Sequence, residues 1–148
     1  KNKARRNFSY IVERYLKHPS YNYSIFGFKK LNAALYAIAV GRKVSGNGAK
    51  AFRLTEFFYE LDHSSNVGVG LNELMVNNGY EYIDFLEFGF DTQSLVNAGF
   101  IQCTDQLFVP HLFEPFVAER KEVKIAFKST EAFSCTKGDS DLDRPNLG

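Results

Sequence analysis

Cysteine is scarce in this chain of 148 residues, with only Cys103 and Cys135 present, and tryptophan is missing altogether. Two cysteines are too few for a disulfide-stapled scaffold, and they point to a reducing compartment. No apolar run is long enough to cross a bilayer and no signal peptide opens the chain, so a soluble, cytoplasmic protein without membrane partners is expected. The first residue is Lys1 in place of Met, which leads us to expect a module of a longer polypeptide. No internal repeat is visible. The sharpest absence is of cations: residues 54–119 contain no Lys or Arg.

What is there is apolar and segregated in charge. The chain is 45% hydrophobic and 16% aromatic, with 15 Phe, enough for one folded domain or two small ones. Residues 1–53 hold twelve Lys or Arg against the single acid Glu13, whereas residues 54–119 hold eleven acids. A net charge of +1 conceals this division. Segregation on this scale speaks about partners more directly than any single motif does.

Apolar spacing predicts a helix over 7–18, with Phe8, Ile11, Val12, Tyr15 and Leu16 on one face and Pro19 ending it. A second helix is expected from Ser24 to Val40 along Phe28, Leu31, Leu35 and Ile38, closed by Gly41. Residues 42–50, RKVSGNGAK, read as a boundary or mobile loop. In the acidic part, Leu54, Phe57, Phe58 and Leu61 predict an amphipathic helix over 52–62. A short strand at Val67 to Gly70, a helix over 71–77 and a further helix through Tyr82, Ile83, Phe85, Leu86 and Phe88 follow. On that last helix Glu81, Asp84 and Glu87 would form a solvated acidic face. Asp91 can cap a helix through Ser94, Leu95 and Ala98, and Gly99 suits its end. Phe100 to Val109 predicts a β-hairpin, and Leu112, Phe113, Phe116 and Val117 a closing helix. Val123, Ile125 and Phe127 alternate as a strand would, and residues 139–148 read as a flexible tail.

Catalytic motifs fail one by one. Gly46 to Lys50 lacks P-loop spacing, and Ser45 lacks the flanking glycines of a lipase-type nucleophile. Gly46, Gly48 and Ala51 match a dinucleotide fingerprint only loosely and lack a βαβ context. Cys103, His111 and Cys135 match no zinc spacing, so no metal is expected. No catalytic constellation is recognised, and the expectation is a non-enzyme.

The segment SLVNAGFI, followed by a hairpin and by FVPHLFEPFVAER, resembles the winged-helix region after the ATPase core of STAND or NACHT-type regulatory NTPases. The resemblance covers about thirty residues, and Phe108, His111, Phe113, Phe116 and Ala118 carry it. It implies that His111 approaches a nucleotide phosphate, with ATP or ADP held by an NTPase domain upstream. These residues themselves carry no P-loop and no cofactor site.

The expectation is therefore a mainly α fold, with a helical N-terminal part and a winged-helix-like C-terminal part holding a small hairpin. Its divisions are a basic helical segment (1–50), an acidic winged-helix-like domain (51–128) and a flexible tail (129–148). The expected role is a non-catalytic regulatory or protein-interaction module that docks Glu81, Asp84 and Glu87 on a basic protein surface or adjacent domain. The alternative is nucleic-acid binding through Lys1, Lys3, Arg5, Arg6, Arg42 and Lys43, because the acidic half would be repelled by phosphates.

Overall fold

The computed structural model describes residues 6–30, 34–104, 107, 116–117, 126, 128, 130 and 132–139. Strand and helix take nearly equal shares of these, 34% and 33%, so the mainly α expectation is overturned. Helix α1 (Phe8–Ile11) runs into a π-helical turn (Val12–Leu16), with Asn7 Oδ1 accepting the Tyr10 N–H at its start. Strands β1 (Ser24–Lys29), β2 (Leu35–Gly46) and β3 (Ala49–Tyr59) then form an antiparallel meander. A 3-10 turn (Leu61–His63) leads into α2 (Ser64–Asn78), which returns the chain to β4 (Tyr82–Phe85), parallel to β3. The sheet order is β1-β2-β3-β4. A second ladder joins β5 (Glu87–Phe88) to β6 (Cys135–Thr136), with α3 (Thr92–Asn97) between them in the chain.

Where helices were expected over 24–40, 52–62 and 82–88, the described residues form β1 and the start of β2, most of β3, and β4 with β5, and one cause is a bulge. Gly41 pairs with Leu54 and Val40 with Glu56, so Thr55 is an extra residue on β3. An extra residue shifts the alternation of side chains by one. Phe52, Leu54 and Phe57 consequently belong to one core cluster, and the step of three from Leu54 to Phe57 imitates a helical repeat. In β2, Ala37, Ala39 and Val40 are all buried, so both faces of the strand are covered and simple alternation is lost. The loop expected at 42–50 is a hairpin whose turn places Asn47 (φ 53) and Gly48 (φ 80) in left-handed backbone. Its ladder runs through position 50, where the domain division was expected.

The Val67 to Gly70 segment, expected as a strand, lies inside α2. Helix α2 lays Val67, Leu71 and Leu74 on the core with Phe52, Leu54 and Phe57, and Gly68 lets it approach α3: a Cβ there would sit 2.9 Å from the Ala98 carbonyl oxygen. It ends at Gly79 (φ 65). Helix α3 follows the sequence closely: Asp91 Oδ2 accepts the Ser94 N–H at 2.7 Å, and Gly99 (φ 87) follows the last turn. Among the described residues no helix is long and apolar enough to cross a membrane.

Candidate functional site

Two parallel neighbours part company in the middle of the fold. β4 pairs with β3 only along Ala51–Leu54, after which β3 continues to Tyr59 while the chain beyond Phe85 turns off into β5. Thr55 to Tyr59 therefore have no strand partner on that side among the described residues. The parting begins at the bulge, where the rise in local twist helps to separate the strands. Aromatic rings gather on the core side of the opening: Phe57 lies 5.7 Å from Phe85 and 6.2 Å from Phe100, and Phe85 lies 5.3 Å from Phe90.

On the other side of β3 the bulge turns out Glu56, which is completely buried. Its Oε1 accepts hydrogen bonds from the hydroxyls of Tyr15 (2.8 Å) and Tyr10 (3.1 Å). Its Oε2 lies 2.9 Å from Arg6 Nε and accepts from the Thr136 hydroxyl at 3.2 Å. Arg6 also pairs with Asp139 through Nη2, and Asp139 Oδ2 accepts the Thr136 N–H at 2.7 Å. Two distant stretches of chain, residues 6–15 and 136–139, thus converge on one carboxylate of β3. Burial pushes the Glu56 carboxyl above its usual range, against the opposing pull of the Arg6 guanidinium and the Tyr15 hydroxyl. Burial first, and then the Glu56 charge, raises the Tyr15 phenol so that it stays protonated. Chemically the group is a solvent-shielded carboxylate held by neutral phenols and one guanidinium, suited to accepting a proton beside the parted strands.

The residues singled out from the sequence are dispersed. Glu81, Asp84 and Glu87 lie on or beside β4 and β5 and not on a helix; only Glu81 is exposed. Asp84 accepts from Arg53 Nε at 2.8 Å across the parallel ladder, and Glu87 accepts the Phe90 N–H at 3.0 Å. A single solvated acidic face is therefore absent. Arg6 is committed to Glu56 and Asp139; the Arg42 guanidinium stacks 4.0 Å from the Tyr21 ring centroid, and Lys43 is exposed. Lys1, Lys3 and Arg5 lie outside the described residues, as do His111, Phe108, Phe113 and Ala118. Phe116 is described, its ring 5.4 Å from that of Tyr82. Of the expected tail, Cys135 to Asp139 form β6 and a 3-10 turn. Among the described residues no cluster of His, Cys, Asp or Glu is arranged to hold a metal.

Glu56 was counted from the sequence only as one acid among eleven. The signal that marks it is its place in Phe52–Tyr59, an apolar, β-prone run interrupted by Arg53 and Glu56, since a charge in such a run must find a partner when it is buried. Compared with protein-family models, curated proteins and solved structures, the chain matches none.

Proposed function

We propose that this domain binds an extended, amide-bearing small molecule along the edge of β3 that β4 leaves after Leu54, where Gly138 lies in this structure, and serves the transfer of a group carried on it. The observation that carries the reading is the parting of β3 from β4 after Leu54 and Phe85. A strand edge with unpaired backbone groups recognises a chain that offers amides of its own, and ligands of α/β sheets seat beyond the carboxyl ends of parallel strands. Helix α2 starts after β3 and the 3-10 turn Leu61–His63, so a phosphate at the end of the ligand's arm would meet a helix N-terminus. Glu60 and Asp62 oppose that charge locally. A ligand with both features, an amide-bearing arm and a diphosphate where the arm ends, is an acyl thioester of coenzyme A. Glu56 then stands where a proton released by the acyl acceptor has to go.

Thermal-shift measurements with acetyl-coenzyme A, pantetheine and ADP separate the two features. Stabilisation by acetyl-coenzyme A and, more weakly, by pantetheine supports the edge reading; stabilisation by ADP alone, or by none of the three, contradicts it. Docking through Glu81, Asp84 and Glu87 is the less favoured reading, because Asp84 and Glu87 already have partners within the chain. A cytoplasmic location belongs to the same proposal, supported by the two free thiols.

A further inference from the structure

Residues Cys135 to Asp139 bridge the parted strands. β6 pairs with β5 over two residues only, the Lys137 N–H donates to the Leu86 carbonyl at 3.1 Å, and the following Gly138 lies against β3. A Cβ at Gly138 would come within 2.6 Å of Glu56 Oε1 and 2.9 Å of the Thr55 carbonyl oxygen, and would collide with the Tyr15 hydroxyl. Only glycine lets the chain cross so close to the buried carboxylate.

We infer that Cys135–Asp139 is a strap, latched by Arg6 to Asp139, which lifts from β3 as a unit while the four-stranded sheet stays folded, uncovering Glu56 and the free edge. The balance of forces favours such a local opening. Segments open below the cost of global unfolding when few apolar contacts hold them and their polar groups can be rehydrated. Thr136, Lys137 and Gly138 are buried beside Cys135, yet the strap's side chains are chiefly polar, and the attachments that hold it include Thr136 to Glu56, Asp139 to Arg6, and the short β5–β6 ladder. The sheet by contrast is held by Phe52, Leu54 and Phe57 against Val67, Leu71 and Leu74. The strap's role as a cover rests on the ligand reading above, but its opening does not, and the test needs no ligand.

Cys135 is buried within the strap, whereas Cys103 is exposed. In a Cys103→Ser background the Cys135 thiol is labelled with a disulfide reagent under native conditions, and the rate is followed against urea. The strap account expects labelling through an opening nearly independent of urea, accelerated at least tenfold by Asp139→Asn and by Gly138→Ala, with the sheet's urea midpoint shifted far less. Labelling at the rate and urea dependence of global unfolding in all three proteins would overturn it. Failure of acetyl-coenzyme A to bind would leave these rates untouched, so the two ideas fail separately.

Discussion

The Tyr15 hydroxyl donates a 2.8 Å hydrogen bond to Glu56 Oε1, tying the π-helical turn after α1 to the middle of β3. Neither group has water to fall back on: Tyr15 is 2% exposed and Glu56 0%. The N-terminal segment is thus fastened to the sheet through a buried carboxylate, and the consequences can be measured.

Removing the carboxylate leaves Arg6 and two phenols facing an empty acceptor. Glu56→Ala is expected to destabilise the domain by about 3–5 kcal/mol, the usual result of breaking a buried ion pair from one side. Glu56→Gln, which keeps the shape and one acceptor oxygen, should lose less. Urea unfolding of both variants measures the difference.

The pH dependence has a defined sign. Because burial raises Glu56 above its ordinary value of 4.5, the folded chain holds this proton more tightly than the unfolded one. Its contribution to stability is therefore complete below the unfolded pKa and is lost as pH rises through the raised folded value. The difference in unfolding free energy between the native protein and Glu56→Gln should change in that direction over this window. A difference that does not vary with pH would place the carboxyl at its ordinary pKa.

Gly41 lies beside the bulge, and a Cβ there would collide with the Arg53 carbonyl oxygen and press on the Phe52 ring. Backbone cannot move aside as a side-chain tip can. Gly41→Ala is expected to cost roughly 1–3 kcal/mol or more. Gly27→Ala, whose Cβ would meet first the Leu35 side chain, at 2.8 Å and beyond, should cost less. Thermal melts of the two variants make the comparison.

Local signals in the sequence were reliable where they acted over a few residues. The Asp91 cap, the helix end at Gly99, and the first helix after Asn7 were all legible from residue type alone. The strands were not, because the bulge at Thr55 gave β3 a helix-like step and because both faces of β2 are covered. Charge segregation was also legible, but not its use. Arg6 with Glu56, and Arg53 with Asp84, show cations of residues 1–53 meeting acids further on within one fold. The Glu56 cluster joins residues 6, 10, 15, 56, 136 and 139, and only tertiary structure brings those positions together.

The most direct test of the account is an amide NMR titration of the full chain with acetyl-coenzyme A. The account expects saturable shifts concentrated in Thr55 to Tyr59 and the first turn of α2, with pantetheine reproducing those on β3 alone. Shifts confined to other surfaces, or none at millimolar ligand, would contradict the proposal that the parted strands form the binding site.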